Sequence, residues 1–299
     1  MMEPNQNAVI GDSPVIRRVL KAAQVVAATD ANVLIQGEGG SGKEVIARTI
    51  HQLSPRRAHA FVVVGCAGLA ENEVDAGFAA RVAQAGGGTL LLDEVSELPP
   101  IGQSRLLRLL ERGGETAAGP VPRVIATTSR DLWLAVEAGE FRRDLYYRLY
   151  VVPLEMPPLR ERVQDISPLL EHFVHRAAQA HGLEPPRITA TAGRLLRRYA
   201  WPGNVRELKN FCERIAILFA GNEVAPDNLP WEIRRGDMGA GEDLIFRLPS
   251  SGINLNDLEV EAIRQALALA GGNKSRAARL LGLTRDTFLY RMQKHVITA

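Results

Sequence analysis

Residues 33–44 have the sequence Val-Leu-Ile-Gln-Gly-Glu-Gly-Gly-Ser-Gly-Lys-Glu, and this stretch decides the fold. A short apolar strand enters a glycine-rich turn, and a helical pattern begins at Lys43. Gly37, Gly42 and Lys43 have the G-x-x-x-x-G-K spacing of a P-loop. In such a loop the backbone N–H groups surround phosphate oxygens, and the lysine adds positive charge. A glycine-rich loop with an accidental lysine is the alternative, and the strand and helix on either side favour the P-loop.

A P-loop predicts a nucleotide that is bound through its phosphates. The residues expected to contact it are those of the loop and the start of its helix: Gly37, Glu38, Gly39, Gly40, Ser41, Gly42, Lys43 and Glu44. One position departs from the general pattern. Glu44 follows the lysine where Ser or Thr is usual, so the hydroxyl that commonly binds Mg²⁺ is missing.

The composition is that of a globular protein, with 46% hydrophobic and 23% charged residues in 299 positions. No apolar run approaches the roughly 20 residues of a membrane span, so we expect no membrane partner. Cys66 and Cys212 are the only cysteines, which predicts a reducing, cytoplasmic setting rather than a disulfide framework. The length suggests two or three domains.

The charge is unevenly distributed along the chain. Residues 273–299 carry six Lys or Arg residues and one acid, which gives +5. Because the whole chain has a formal net charge of +2, the remainder carries −3. A basic C-terminal segment on a mildly acidic body predicts a polyanionic partner for that segment.

Short apolar strands alternate with helical patterns in the first half of the chain. The strands are predicted at Val33–Ile35, Phe61–Val64, Thr89–Leu92, Val124–Thr127 and Tyr150–Leu154. Strands that are apolar throughout and separated by helices indicate a parallel sheet with helices on both faces. The predicted fold class is therefore an α/β P-loop core, followed by a small helical lid and an all-α C-terminal domain.

This reading gives four segments. They are an α/β nucleotide-binding subdomain at residues 9–160, a helical lid at 161–235, a linker at 236–253 and a helix-turn-helix domain at 254–299. The linker is predicted from its content of Gly, Ser and acidic residues.

The third predicted strand ends in two acids, Asp93 and Glu94. An apolar strand delivers this pair to the carboxyl edge of the sheet, where α/β proteins bind ligands. We expect Asp93 to hold Mg²⁺ and Glu94 to polarise the attacking water. A solvated strand end is the alternative, and the preceding P-loop favours the catalytic interpretation.

The C-terminal segment has the pattern of three helices. Asn256 and Glu259 resemble a capping box, and Thr284 is expected to cap the last helix. Phe288 and Met292 are expected in the core. The residues left to contact double-stranded DNA are Lys274, Arg276, Arg285, Thr287, Tyr290, Arg291 and Lys294. The alternative is a three-helix unit with a solvated basic face.

The spacing of the sequence does not establish the roles of three arginines. Arg142 and Arg148 flank Asp-Leu-Tyr-Tyr, and Arg206 lies in Trp-Pro-Gly-Asn-Val-Arg-Glu-Leu. An arginine can stabilise a transferring phosphoryl group from a neighbouring subunit. Surface arginines on amphipathic helices would show the same pattern, and spacing favours that simpler interpretation.

The region from Val9 to about Ile233 resembles the AAA+ domain of sigma-54-dependent bacterial enhancer-binding proteins. The matching stretches are residues 10–14, 37–44, 87–94, 141–149, 157–162 and 201–208, and residues 271–282 are similar to the Fis-type DNA-binding end of the same family. The family carries Glu at the position of Glu44. The resemblance implies a hexameric or heptameric ring that hydrolyses ATP between subunits.

The resemblance also implies roles for individual residues. It identifies Arg142 and Arg148 as arginine fingers that act in trans, Arg206 as the sensor arginine of the lid, and Thr128 as part of the sensor segment. Catalytic roles therefore fall on Glu94, Arg142 and Arg148.

The sequence departs from the family at three places. The hexapeptide Gly-Ala-Phe-Thr-Gly-Ala, which contacts sigma-54, is absent from the sequence, and its loop is expected to be deleted around Asp75–Phe78. A second surface loop is shortened at Gly113–Pro122. Gly65 and Ser129 replace two asparagines, of which the first pairs with the glutamate at position 94. Since glycine has no side chain to orient Glu94, slower hydrolysis is expected.

These observations favour an ATP-binding, DNA-binding transcription regulator that self-associates into a ring or a smaller homo-oligomer, or shares a hetero-oligomer with a related regulator. Contact with RNA polymerase or a sigma factor is left open. No sensor domain is recognised before residue 9, so control is expected from expression or a partner. The alternatives are an active ATPase that remodels another protein client, and a non-hydrolysing switch in which ATP gates DNA binding.

Overall fold

The computed structural model describes residues 9–68, 71–111, 115–116, 119–234 and 254–295. These residues form two compact units, one N-terminal and one C-terminal. The predicted linker at 236–253 lies outside the described residues, as do residues 1–8. Among the helices that the structure describes, none is both long and apolar enough to cross a membrane.

A five-stranded parallel sheet organises the N-terminal unit. Its strands are β1 Val33–Gln36, β2 Phe61–Gly65, β3 Thr89–Asp93, β4 Arg123–Thr128 and β5 Val152–Glu155. The spatial order is β2-β3-β4-β1-β5, and every neighbouring pair is parallel. The predicted fold class is confirmed. Only β5 begins later than predicted, because Tyr150 still ends the preceding helix.

Six helices cover the two faces of this sheet. They are α1 Pro14–Ala27, α2 Lys43–Leu53, α3 Glu71–Ala85, α4 Pro100–Glu111, α5 Leu132–Glu137 and α6 Arg143–Leu149. Alternate strand residues enter separate cores: Leu34 and Leu92 pack on one face, and Ile35 and Leu91 on the other. Because both faces are buried, each strand is apolar throughout.

The segment between β2 and β3 is mostly one helix. Asp75–Phe78, where the sequence predicts the loop deletion, lie inside the uninterrupted 15-residue α3. Phe78 is buried in the core against the sheet. At the second site of predicted shortening, Glu115–Thr116 and Gly119–Pro120 pair as a two-stranded antiparallel ladder.

A helical lid follows the sheet. It contains α7 Ile166–His181, α8 Ala190–Arg198, α9 Asn204–Leu218 and α10 Trp231–Arg234. Its core surrounds Trp201, which is fully buried and donates from its indole Nε1 to the Leu196 carbonyl over 2.8 Å. A two-residue parallel ladder joins Arg187–Ile188 to Glu223–Val224.

The C-terminal unit consists of α11 Leu255–Leu269, α12 Lys274–Leu280 and α13 Arg285–Lys294. Phe288 and Met292 are buried as expected, and the Thr284 side chain caps α13. The predicted capping box is wrong. Asn254, not Asn256, caps α11, since its side chain accepts from the Asn256 N–H over 2.9 Å.

Candidate nucleotide site and DNA-binding surface

The P-loop connects β1 to α2 in close contact with the rest of the N-terminal unit. Gly37 has a φ of 151°, and a Cβ there would lie 2.5 Å from the Met156 carbonyl oxygen. Gly40 has a φ of 74°, and a Cβ there would lie 2.5 Å from the Gly203 carbonyl oxygen in the lid. Only glycine fits both positions, so packing as well as phosphate binding requires glycine in this loop.

Lys43 is buried and reaches back across the loop. Its Nζ lies 2.8 Å from the carbonyl oxygen of Gly37 and 3.3 Å from that of Glu38. It also forms an ion pair with Glu94, at 3.0 Å from Oε1. The ammonium group is therefore held at the loop with its charge directed to Glu94.

Asp93 ends β3 beside Thr127 of the neighbouring strand β4. The Thr127 hydroxyl donates to Asp93 Oδ1 over 2.7 Å and accepts from the Glu94 N–H over 3.1 Å. This single buried hydroxyl fixes both acids at the carboxyl edge of the sheet.

Glu94 has a left-handed backbone, with a φ of 55°. Its Oε2 accepts from the Ser129 N–H over 2.7 Å and from the Ser129 hydroxyl over 2.8 Å. Burial would raise the pKa of Glu94, but the bonds from Ser129 and Lys43 outweigh it and hold that pKa below its ordinary value. The carboxylate is thus kept ionised, as a base that polarises water requires.

Two of the predicted nucleotide contacts have other partners here. The Thr128 hydroxyl donates to the Arg130 carbonyl over 3.0 Å and lies 3.2 Å from Ser96 Oγ, while its carbonyl accepts from the Gly37 N–H. Glu44 pairs with Arg48 one turn along α2, at 2.6 Å. Their contact with nucleotide stays a prediction.

A clasp of polar contacts joins the P-loop to the lid. The Arg160 guanidinium donates twice to the Glu38 carboxylate, over 2.9 and 2.6 Å. Asn204 donates to Glu38 over 3.0 Å and to the Gly39 carbonyl over 3.2 Å, and it accepts from the Leu159 N–H over 2.7 Å. Arg160 and then Asn204 lower the pKa of Glu38 to about 2. The lid is therefore tied to the loop by an acid that is ionised at neutral pH.

The predicted sensor arginine lies beside this clasp. The Val205 N–H donates to the Gly40 carbonyl over 3.0 Å. A Cβ on Gly39 would lie 3.8 Å from Arg206 Nη1, and Arg206 is exposed. The fold therefore brings Arg206 to the P-loop from the first turn of α9.

A small recess next to the loop has a mixed lining. Arg162 donates to the Ser41 carbonyl, yet Ser41 Oγ and Arg162 Nε are buried without a hydrogen-bond partner among the described residues. The recess continues over apolar side chains that include Ile10, Val45 and Phe173. Because it is smaller than the pockets that usually enclose small ligands, it can contact only part of a nucleotide.

Magnesium would have a simple donor set here. Within the described ranges, no group of three or more His, Cys, Asp and Glu could hold a metal ion by itself. Mg²⁺ in nucleotide sites commonly uses one or two carboxylates together with phosphate oxygens and water. Asp93 fits that arrangement, with Oδ1 already fixed by Thr127.

The two candidate arginine fingers lie away from the P-loop contacts. Arg142 caps α6 and forms a two-bond pair with Asp144, over 3.0 and 2.7 Å. Arg148, at the end of α6, lies 3.4 Å from Glu111. Both side chains are half exposed on the surface. The fold does not bring them to the Lys43 and Glu94 of their own chain.

The predicted DNA contacts of the C-terminal unit separate into two groups. The exposed ones are Lys274, Arg276, Arg285, Thr287, Tyr290 and Lys294. Arg291 is half-buried instead and pairs with Glu259 of α11, which also accepts from His295 over 2.8 Å. Arg291 thus connects the last helix to the first, and its contact with DNA stays a prediction.

Sequence reasoning missed several residues of the site. It did not find Thr127, Arg160, Arg162 or Asn204, and it treated Ser129 only as a departure. Thr127 could have been found from the strand order, because the β3–β4 register pairs Leu92 with Ala126 and thereby sets Thr127 beside Asp93. The others come from the lid or a loop and left no periodic signal.

Known families account for almost all of the chain. Residues 9–155 match the sigma-54 interaction domain, residues 160–243 the AAA+ ATPase lid domain, and residues 254–295 the Fis family of bacterial regulatory proteins. The transcriptional regulatory protein ZraR of Klebsiella oxytoca is 40% identical over 97% of this chain and 69% of its own length. This chain belongs to the sigma-54-dependent transcription regulators.

Other members of the family resemble it closely. The C4-dicarboxylate transport transcriptional regulatory protein DctD of Rhizobium meliloti is 38% identical over 96% of this chain and 64% of its own. The crystal structure of NtrX from Brucella abortus in complex with ATP superposes with a TM-score of 0.71 at 31% identity, covering 97% of this chain and 70% of that one. This regulator therefore has an AAA+ core, a lid and a Fis-type helix-turn-helix domain.

Proposed function

We propose that this regulator binds ATP with Mg²⁺ at the P-loop, hydrolyses it between subunits, and couples this cycle to DNA bound by its C-terminal unit. The observation that carries the proposal is the convergence of Lys43, Asp93 and Glu94 at one edge of the sheet, with Lys43 and Glu94 3.0 Å apart. The relative NtrX binds ATP in its crystal structure, which supports the choice of nucleotide.

Each residue of the site has a separate role in the proposed hydrolysis. Mg²⁺, when bound, neutralises charge on the phosphates and orients them for attack. Asp93 would hold it through the oxygen atoms that Thr127 leaves free. Lys43 would exchange its carbonyl partners for phosphate oxygens. Glu94 would orient the attacking water and accept its proton. The contacts of Glu38 with Arg160 and Asn204 would transmit changes at the P-loop to the lid.

The arginines of α6 complete the site from a neighbouring subunit in this proposal. Arg142 and Arg148 are exposed and form ion pairs with the surface acids Asp144 and Glu111, and Arg142 also donates to the Ser104 hydroxyl, so both can exchange these partners at small cost. An arginine supplied in trans stabilises the charge of phosphoryl transfer. Self-association into a ring or smaller oligomer, with like chains or with a related regulator, would then be required for turnover.

The C-terminal unit is proposed to bind double-stranded DNA through α13. Its exposed Arg285, Thr287 and Tyr290 lie on the helix that follows a tight turn, as in helix-turn-helix proteins. Lys274 and Arg276 at the start of α12 would contact phosphates. Two units related by two-fold symmetry would suit a palindromic site.

The proposed partner differs from that of a typical member of the family. Fifteen of residues 66–88 between β2 and β3 lie in the single helix α3, and the hexapeptide that contacts sigma-54 is absent from the sequence. We therefore expect that this regulator does not engage sigma-54 by the usual loop. Sharing a mixed ring with a related regulator that has the loop would restore that contact.

One observation favours a second function. A Cβ on Gly65 would meet no atom within 4 Å, so nothing holds Glu94 from β2. A core that binds ATP without hydrolysing it, and uses it to gate DNA binding, would follow if Glu94 were poorly oriented. The two bonds from Ser129 favour hydrolysis over this alternative.

The test is ATP binding and steady-state turnover of the full chain, with Lys43→Ala as the background. We expect wild type to bind ATP and turn it over, and Lys43→Ala to do neither. Asn210→Ala, an exposed change on α9, is the control and should match wild type. Wild type that binds ATP but shows only the Lys43→Ala rate would refute hydrolysis and support the switch.

A further inference from the structure

The order of the strands places two neighbouring strand ends next to Glu94, and a residue at either end could bond its carboxylate. Glu94 follows β3, which lies between β2 and β4 in the sheet. Gly65 ends β2, pairs with Asp93 in the register and offers no side chain. The chain that follows β4 offers Ser129, whose N–H and hydroxyl both donate to Glu94 Oε2. Among the described residues, the side chains that bond the Glu94 carboxylate are therefore those of Lys43 and Ser129.

These two partners bind different oxygen atoms of the carboxylate. Lys43 Nζ lies 3.0 Å from Oε1, whereas both bonds from Ser129 go to Oε2. If Lys43 turns to a phosphate, Oε1 is released and Oε2 stays fixed. The carboxylate then presents a free oxygen in a set direction, which is what a base that orients water needs.

We infer that Ser129 is the positioning residue for Glu94 in this regulator, taking over from the end of β4 the task that the glycine at the end of β2 cannot perform. The inference rests on the proposed ATP hydrolysis at this site. It predicts that the two sequence departures at positions 65 and 129 act together, so that the core hydrolyses ATP instead of only binding it.

Removing the Ser129 hydroxyl should affect turnover more than binding. Ser129→Ala keeps the N–H bond and loses the hydroxyl bond, so we expect kcat to fall roughly tenfold to a hundredfold, with KM for ATP changed less than about twofold. Ser129→Thr retains the hydroxyl at an exposed position and should keep kcat within about threefold of wild type.

A second-site change tests the mechanism directly. The space around a Cβ at Gly65 is open, so asparagine fits there and its amide can donate to Glu94 from the side of β2. We expect Gly65→Asn to restore most of the kcat that Ser129→Ala loses. A double variant that stays as slow as Ser129→Ala would show that Ser129 acts on another group and would overturn the inference.

The outcomes separate the inference from the function on which it rests. Wild type at the Lys43→Ala rate removes the proposed hydrolysis and the inference with it. Wild type that turns over, with kcat unchanged in Ser129→Ala, overturns the inference alone. ATP binding by each variant, measured by titration, shows that the site is folded.

Discussion

Two hydroxyl groups at the end of β4 hold the two acids at the end of β3. Thr127 bonds to Asp93 over 2.7 Å, and Ser129 bonds to Glu94 over 2.8 Å. The sequence predicts the acids, because an apolar strand that ends in Asp-Glu after a P-loop is a strong pattern. It does not predict the residues that bond these acids. Those partners depend on the order of the strands in the sheet, and the hydrophobic pattern of a single strand does not reveal that order.

Thr127→Val should distinguish the effect of Thr127 on magnesium binding from its effect on the stability of the fold. The change keeps the shape of the buried side chain and removes its bonds to Asp93 and to the Glu94 N–H. We expect the free energy of unfolding to fall by about 1–3 kcal/mol, and the Mg²⁺ concentration for half-maximal turnover to rise roughly tenfold. Magnesium titrations of ATP turnover measure the second effect.

Thr89→Val is the matched control. Thr89 is also fully buried and bonds to His51 over 2.9 Å, but it begins β3 at the opposite edge of the sheet. It should lose comparable stability with no change in the magnesium requirement. Equal magnesium requirements in both variants would contradict the role given to Thr127.

Arg285 and Arg291 should behave differently although both are basic residues of α13. Arg285 is exposed, so Arg285→Ala should lower the slope of log affinity against log salt by about one, without changing the melting temperature. Arg291 pairs with Glu259, so Arg291→Ala should lower the melting temperature of the C-terminal unit. Anisotropy of a labelled mixed-sequence duplex at several salt concentrations measures the slope. The reverse assignment of effects would contradict the structure.

At the scale of elements, the clasp between the P-loop and the lid connects two separate cores. Gln36 ends β1, and Glu38 two residues later bonds to Arg160 and to Asn204 at the start of α9. Asn204 is fully buried with a φ of 53°, a backbone that asparagine tolerates better than most residues. The lid is thus positioned by one residue whose side chain and backbone are both constrained.

Asn204→Ala should loosen this clasp. It loses the bonds to Leu159, Glu38 and Gly39, and alanine tolerates a positive φ less well than asparagine does, so we expect a loss of about 2–4 kcal/mol in the free energy of unfolding. Asn204→Gly loses the same bonds without the backbone strain and should be roughly 1 kcal/mol more stable than Asn204→Ala. Chemical denaturation compares them. Equal stability of the two variants would show that the positive φ at position 204 does not affect the free energy of unfolding.

The Glu38 carboxylate makes the clasp sensitive to acid. Its pKa is about 2 in the folded chain, against an ordinary value of 4.5. A lowered pKa contributes stability that is fully present above the ordinary value and is lost as pH falls toward the folded value. The melting temperature of wild type should therefore exceed that of Glu38→Gln near neutral pH, and the difference should shrink as pH falls from 4.5 toward 2. A constant difference would contradict the clasp.

Elements of regular structure were predictable, and their contacts were not. The five strands and the P-loop helix follow from apolar runs and the glycine spacing, and the predicted helix start at Lys43 agrees with the structure. The cap of α11 was misplaced by two residues because Asn254 and Asn256 are both good capping residues. The pairing of Arg291 with Glu259 joins residues 32 positions apart, and no local pattern reveals it.

At the scale of the whole molecule, the nucleotide chemistry and the basic DNA-binding surface occupy separate compact units. The excess positive charge lies at the end of the C-terminal unit, with +5 on residues 273–299. Within the N-terminal unit, the P-loop groups and the α6 arginines are also separated. Exposed arginines that lie apart from the P-loop and pair with surface acids are the arrangement expected if a neighbouring chain completes the site.

The most direct test of this account is a mixing experiment with two inactive variants. Glu94→Gln keeps the arginines and lacks the base, whereas Arg142→Ala keeps the base and lacks the arginine. Each alone should show the Lys43→Ala rate. If neighbouring chains share a site, an equal mixture should regain up to about a quarter of wild-type turnover, because that fraction of randomly paired interfaces is intact. A mixture that binds ATP and assembles, yet stays at background, would contradict a site shared between subunits.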